Sequence, residues 1–299
     1  MSKLEINQLD LFSGIGGFHL GFERAGYKVN SYFSEIDKHA VAVYKQQFKD
    51  STYVGSVTDV RGGDLPTIDL ITFGSPCQDF SLAGKRKGME GERSSLILEA
   101  IRLINECRPR AFVWENVKGT FSSNDGEDFA AILQAFTNIG GYRLEWQLLN
   151  TSWFLPQNRE RIYLVGYSTT PGGDWPGVFP IGEASLNNNE SPKKGKTESI
   201  VYDNYNYKYR TDGNVGTLTA HSGNLHEGFK IKEVGDYRIR RLTPIECERL
   251  QGFPDNHTEY GNYDGEVKKM SNTQRYKQCG NAVTVDVVQA VAEQLKPIF

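Results

Sequence analysis

From residue 8 to residue 167 the chain alternates short apolar runs, rich in β-branched and aromatic residues, with stretches in which apolar residues recur every three or four positions. That alternation constrains the fold most, because strands separated by helices are joined by crossovers and come to lie side by side in one direction. Strands are predicted over 8–12, 29–34, 70–74, 111–115, 143–149 and 161–167. Helices are predicted over 19–25, ended by Gly26, then 38–48, 94–107, and 128–139, ended by Gly140 and Gly141. The expected fold class is α/β, a doubly wound, mostly parallel sheet with helices on both faces.

Beyond Tyr167 the pattern stops. Residues 169–237 are rich in Gly, Asn, Pro, Ser, Lys and Tyr, show no helical period, and read as a small loop-rich domain, with 186–196 (LNNNESPKKGK) as a surface loop. Helical periodicity returns at 244–250 and 283–295. One domain of residues 1–168 plus 238–299 is therefore expected, interrupted by a second domain of residues 169–237. With 299 residues, 38% of them hydrophobic, the chain can bury one large core and a smaller appendage.

A net charge of −3 excludes a generally basic nucleic-acid-binding surface. Phosphate contacts would have to come from local clusters: Lys85, Arg86, Lys87 and Arg93; Arg238, Arg240 and Arg241; or Lys268, Lys269, Arg275 and Lys277. Each cluster is equally readable as a solvated face. No apolar run is long enough to cross a bilayer and no secretory leader is evident, so a cytoplasmic protein without a membrane partner is expected. The four cysteines are scattered, without a Cys-x-x-Cys pair or a histidine cluster, so no metal is expected.

The segment Asp10-Leu-Phe-Ser-Gly-Ile-Gly-Gly-Phe18 follows a strand and opens a helix, and its glycines let main-chain N–H groups approach a nucleotide-like cofactor. Gly14, Gly16 and Gly17 lack the Gly-x-Gly-x-x-Gly spacing of the dinucleotide fingerprint. Glu35, at the end of the next strand, stands where an acid holds ribose hydroxyls. After the 70–74 strand comes Gly74-Ser-Pro-Cys77-Gln-Asp-Phe-Ser81, a tight turn at the carboxyl edge of the sheet that presents a cysteine close to cationic Lys85–Lys87. A lone cysteine is more often a buried small apolar residue, but this setting favours a reactive thiolate. Glu115 of Trp114-Glu-Asn-Val117, and Arg159 and Arg161 of Gln157-Asn-Arg-Glu-Arg161, supply a carboxyl group and two guanidiniums for one polar ring.

Together these motifs resemble the cytosine-5 DNA methyltransferases of bacteria and phages. DLFSGIGGF, GSPCQDFS, ENV, QNRERIYLVGY, RRLTPIECERLQGFPD and QCGNAV occur in the family's order, and the likeness leaves out most of residues 169–237. The resemblance implies that Cys77 attacks carbon 6 of a flipped-out cytosine in double-stranded DNA, in a bacterial cell or phage-infected host. It implies that Glu115, protonated or sharing a proton, holds ring nitrogen 3 and the exocyclic amine, that Arg161 binds the carbonyl oxygen of the base, and that Arg159 lowers the thiol pKa and orders the pocket.

For the cofactor, the resemblance implies that Phe12, Gly14, Gly16 and Gly17 line S-adenosylmethionine, that Glu35 takes its ribose, and that Pro76, Leu96, Asn281 and Ala282 complete the site. Two positions depart from the family. Ile36 stands where the family usually has a Trp or another large apolar residue, so a thinner adenine contact is expected. The stretch Gly55-Ser56-Val57-Thr58-Asp59 lacks the Asp commonly offered to the adenine amine, which leaves Ser56, beside Val57, or Asp59 for that task.

Residues 80–93 match the family's loop that closes over the flipped base, so Ser81 and the basic residues from Lys85 to Arg93 would meet DNA. Thr217, in Gly216-Thr-Leu-Thr-Ala220, matches the element that grips the backbone beside that base. The small domain would then recognise the target, and the protein would act as a monomer. The other reading is a transfer-RNA cytosine-5 methyltransferase with the same core. That branch carries a Cys-Phe-Thr element in its recognition region, and residues 169–237 contain no cysteine.

Overall fold

The structure, a computed structural model, describes residues 3–75, 95–168, 177–182, 200–203, 208–210, 214–220, 229–232 and 239–299. Its centre is a seven-stranded sheet of β1 (Leu4–Leu11), β2 (Tyr27–Ser34), β3 (Thr52–Tyr53), β4 (Leu70–Phe73), β5 (Ala111–Val117), β6 (Tyr142–Asn150) and, after the short β7 (Gln157–Asn158), β8 (Glu160–Ser168). Their order across the sheet is β3-β2-β1-β4-β5-β8-β6. The pairs from β3 to β5 are parallel, and β8 runs antiparallel to both β5 and β6. The expected mostly parallel, doubly wound sheet is therefore present, with one reversed strand.

Both faces of the sheet are covered, which is why β4 (LITF) and the start of β5 (AFVW) read as continuous apolar runs, whereas β1 (LEINQLDL) buries Gln8 and Asp10 among its apolar residues. Even-numbered residues of β1 and β4, such as Ile6 and Leu70, pack with α1 (Gly17–Arg24) and α8 (Val285–Leu295). Odd-numbered neighbours Leu9, Leu11, Ile71 and Phe73 pack on the opposite face with α3 (Ser95–Cys107) and α5 (Glu127–Thr137), the latter preceded by the one-turn α4 (Gly119–Ser122). Fully burying each such side chain contributes on the order of 1.5–3 kcal/mol. α2 (Lys38–Gln47) is started by Asp37, whose side chain accepts from the His39 and Ala40 N–H groups.

A second sheet contains β9 (Ile200–Asp203), β10 (Lys208–Arg210), β12 (Phe229–Lys232) and β13 (Ile239–Arg241), in the order β10-β9-β12-β13 and antiparallel throughout. The loop-rich composition of this segment gave no sign of it. Between these strands β11 (Val215–Gly216) pairs in parallel with β7. The chain then returns through α6 (Pro244–Leu250), the hairpin of β14 (Tyr260–Tyr263) and β15 (Glu266–Lys269), and α7 (Asn272–Asn281) to α8. No helix among the described residues is long and apolar enough to cross a membrane.

The order of winding positions the site. From β1 the chain moves outward to β2 and β3, then returns to add β4 on the other side of β1. The carboxyl ends of β1 and β4 thus flank the point at which the winding reverses, where open α/β sheets form a ligand crevice.

Candidate active site

The loop after β1 carries the glycines, and Gly74 and Ser75 after β4 lead in sequence to Pro76 and Cys77. β5 supplies the next group. Its register with β8 sets Val117 opposite Arg161 and Glu115 opposite Tyr163, so Glu115 and Arg161 share one face on adjacent strands. Arg161 Nε lies 3.1 Å from Glu115 Oε1, with both side chains largely buried. This contact is an ion pair whose angle falls short of a hydrogen bond, and Oε1 has no hydrogen-bond donor among the described residues. The other carboxylate oxygen rests against Gly74, where an added Cβ would stand 3.2 Å from Oε2.

The residues on either side of Glu115 project to the opposite face and hold the turn after β4. Trp114 Nε1 donates to Ser75 Oγ at 3.1 Å, and Asn116 Nδ2 donates to the Ser75 carbonyl at 3.4 Å. Asn116 Oδ1 accepts from the Val117 N–H at 2.8 Å and from the Thr120 hydroxyl at 3.1 Å. Gly74 and Ser75, the last described residues before Cys77, are therefore fastened to β5 beside the Glu115 carboxylate. Pro76, Cys77, Ser81, Lys85, Arg86, Lys87 and Arg93 lie outside the described residues.

Arg159 has a different setting from Arg161. It is buried, and its terminal nitrogens donate to the carbonyls of Leu218 (3.0 Å), Gly280 (3.3 Å) and Ala282 (2.9 Å). Burial first, and then the neighbouring Arg161 charge, lower its pKa to about 9, which still leaves the guanidinium protonated at neutral pH. Its hydrogen bonds join the Thr-Leu element to the α7–α8 junction. Gln157 reinforces the join, its Oε1 accepting from Leu218 N at 3.0 Å and its Nε2 donating to the Leu250 carbonyl at 2.7 Å. Thr217 donates its hydroxyl to the Asn158 carbonyl at 2.9 Å. Gly280 lets the Thr219–Ala220 main chain pass against α7, since a Cβ there would collide with it.

At the other end of the crevice, Glu35 closes the glycine-rich loop. Its Oε2 accepts from Gly14 N at 2.9 Å, and its Oε1 accepts from Ile36 N and Asp37 N at 2.8 and 2.9 Å. Phe12 and Gly14 both take left-handed conformations, with φ of 51° and 54°. Only Gly14 faces open space. A Cβ at Gly16 would strike the Phe48 ring, and one at Gly17 would strike Val283, so these two glycines serve the seating of α1.

The Ser13 hydroxyl is buried in the same loop with no hydrogen-bond partner among the described residues. Ile36 stands 81% exposed. The Ser34 hydroxyl donates to the Gly55 carbonyl at 2.8 Å, which brings the turn of Ser56 and Val57 alongside. There the Thr58 hydroxyl lies 2.9 Å from Ser56 Oγ and donates to Asp59 Oδ1 at 3.3 Å, so both candidates for the adenine amine sit on one small turn. Arg102 of α3 supports that turn by donating to the carbonyls of Val57 and Val60 at 3.2 and 2.9 Å. Leu96 packs against the same apolar cluster as Phe12. Lys277 pairs with Asp37 at 2.6 Å and draws α7, which ends at the exposed Asn281, toward the end of β2. Ala282 is buried beyond it.

Sequence reasoning passed over His257, the buried Glu248–Arg275 ion pair (2.9 Å) and Gly280. The third basic cluster is taken up in ion pairs: Lys268 with Glu266, Lys269 with Glu259, Arg275 with Glu248, and Lys277 with Asp37.

Comparison with known proteins bears on this arrangement. A family model described as C-5 cytosine-specific DNA methylase matches residues 6–194 and 175–297. The Type II methyltransferase M1.ScrFI of Lactococcus lactis subsp. cremoris is 35% identical, with 97% of this chain and 78% of that protein aligned. M.Bsp6I of Bacillus sp. (strain RFL6) is 32% identical over 95% and 96% of the two chains. Among solved structures, the S. pombe Dnmt2 methyltransferase superposes with a TM-score of 0.71 at 20% identity, covering 98% of this chain and 99% of that one, a likeness of fold.

Proposed function

The chain belongs to the C-5 cytosine-specific DNA methylase family, and from that premise we infer how its own residues carry the family's reaction. It is a DNA (cytosine-5-)-methyltransferase that uses S-adenosylmethionine. The bound cofactor supplies an electrophilic methyl group. The residues at the crevice fit it: Gly14 opens onto free space, the buried Ser13 hydroxyl lacks a partner among the described residues, Glu35 stands just past the strand end, and the Ile36 side chain offers an uncovered apolar face. On this reading Phe12 and Ile36 hold the adenine, Glu35 the ribose, and Ser56 or Asp59 the adenine amine. Leu96, Asn281 and Ala282 border the site.

The observation that carries the catalytic assignment is the Glu115 carboxylate, buried beside Arg161, with Oε1 lacking a donor among the described residues and Oε2 set against Gly74, which leads into Ser75-Pro76-Cys77. A flipped cytosine provides the missing partner, since its exocyclic amine donates. The Cys77 thiolate adds to carbon 6 while Glu115 gives a proton to ring nitrogen 3, and Arg161 binds the carbonyl oxygen on which charge would otherwise build. Carbon 5 becomes nucleophilic and would take the methyl group as its bond to the sulfonium sulfur breaks, the electron pair of that bond staying on sulfur as a neutral thioether. Loss of the carbon 5 hydrogen as a proton, return of the nitrogen 3 proton and expulsion of the thiolate then restore the ring. Arg159, with its terminal donors on three carbonyls, serves as a positioning residue rather than as a contact to the base.

Residues 169–237 are proposed as the target-recognition unit, extended to Arg241 because β13 completes its sheet. Thr217 and the basic residues from Lys85 to Arg93 are proposed to meet phosphates.

The covalent route has a direct test. Fluorine at carbon 5 cannot leave as a cation, so a duplex carrying 5-fluorocytosine at the target traps the enzyme in a denaturant-stable complex. Trapping requires S-adenosylmethionine and is lost in Cys77→Ser. An active preparation that forms no adduct would overturn the assignment.

A further inference from the structure

Beneath the glycine-rich loop lies an imidazole. His257 is 3% exposed, and its Nε2 donates to the main-chain carbonyl of Ile15 at 2.8 Å. A carbonyl only accepts, so Nε2 carries the proton. Burial lowers the pKa of the ring to about 4, which leaves it neutral at physiological pH. Its centroid lies 4.5 Å from that of Phe253 and 6.1 Å from that of Phe48, the latter being the ring that confines Gly16.

The turn bearing His257 is itself firmly held. The Glu248 carboxylate accepts from Asn256 N at 2.8 Å, from Thr258 N at 2.9 Å and from the Thr258 hydroxyl, while pairing with Arg275. Gln47 Nε2 donates to the His257 carbonyl at 2.7 Å, which ties the turn to α2 as well.

Ile15 sits between Gly14 and Gly16, both in left-handed conformations, so the direction of its carbonyl governs how the loop turns. We propose that His257 is a positioning residue for the cofactor, holding the Ile15 carbonyl so that Phe12 and Gly14 keep the geometry in which they meet S-adenosylmethionine. The inference rests on the cofactor site assigned above.

Two variants separate this role from simple packing. His257→Phe keeps a ring and removes the donor, whereas His257→Gln sets an amide N–H near the place of the imidazole Nε2–H and loses the ring. Loss of one buried hydrogen bond in His257→Phe is expected to raise the Kd and KM for S-adenosylmethionine about tenfold, with kcat at saturating cofactor and DNA affinity within about twofold. His257→Gln is expected to bind cofactor within about threefold of the unaltered protein. The reverse order, or equal weakening by both variants, overturns the proposal.

Phe12→Ala measured alongside distinguishes the two levels of failure. Unchanged affinity in that variant moves the cofactor site elsewhere, whereas weakened affinity with a normal His257→Phe sinks the His257 role alone. A measurement on the unaltered protein needs no variant to fold: S-adenosylmethionine is expected to shift the His257 Nε2–H proton resonance and slow its exchange with solvent, and an unmoved signal counts against the proposal.

Discussion

The Glu115–Arg161 pair and the glycine-rich loop stand at the same edge of the sheet, but they are held in opposite ways. The pair belongs to two long antiparallel strands whose ladder sets its register, so its geometry comes with the sheet. The loop contains two residues in left-handed conformations among its first three, and it keeps its shape through outside contacts: Glu35 just after β2, Phe48 after α2, His257 after α6 and Val283 before α8. The sheet-borne region is suited to chemistry, which punishes small displacements, and the loop to holding a ligand that must come and go. Changes to the first should therefore appear in turnover, and changes to the second in cofactor affinity.

The largest expected effect is at the pair. Glu115→Gln keeps the shape of the side chain but lacks the proton and offers an amine where an acceptor is wanted. The single-turnover rate is expected to fall by a factor of about 100 or more, with S-adenosylmethionine affinity unchanged within about twofold. An unaltered rate would remove Glu115 from the chemistry, and a matching loss of cofactor affinity would erase the contrast between the two regions.

A smaller and opposite pattern is expected from Phe12→Ala. Loss of aromatic contact should weaken cofactor binding by about 1–3 kcal/mol, roughly 5- to 150-fold, while the rate at saturating cofactor stays near that of the unaltered protein. Calorimetry and single-turnover kinetics together check it.

The smallest effect sharpens the comparison from the other side. Because Ile36 is uncovered, Ile36→Trp meets no steric obstacle, and the larger ring is expected to improve cofactor affinity by about 0.5–1.5 kcal/mol without changing the rate of methyl transfer. Unchanged or weaker binding in titration calorimetry would take the adenine away from this face.

Much of this division was legible in the sequence, for identifiable reasons. The strands that carry Phe73 and Trp114 are apolar because both faces of the sheet are covered, and that pattern needs no knowledge of contacts. α7 was missed because its buried face is Arg275, Gln278, Cys279 and Gly280, and three of these four are not residues that hydrophobic periodicity looks for. Arg275 is buried only because Glu248, from another helix, is there to meet it. The β14–β15 hairpin did leave a signal. Asp264 and Gly265, with φ of 53° and 100°, are the two residues of its turn, and an Asp-Gly pair between strand-like runs marks such a turn. His257 could not have been found this way, because a carbonyl 242 residues away in the chain gives it its place.

The contacts beneath the glycine-rich loop also order events during synthesis. The seven strands of the large sheet have all been made once Ser168 is added, and Glu115 and Arg161 with them. Phe253, His257 and Val283 follow only in the last part of the sequence, after the second sheet. A chain still attached to the ribosome can thus assemble the strands that bear the Glu115–Arg161 pair while the glycine-rich loop has only Glu35 and Phe48 to support it. The remaining supports of that loop arrive late, when His257 and Val283 fold back against it.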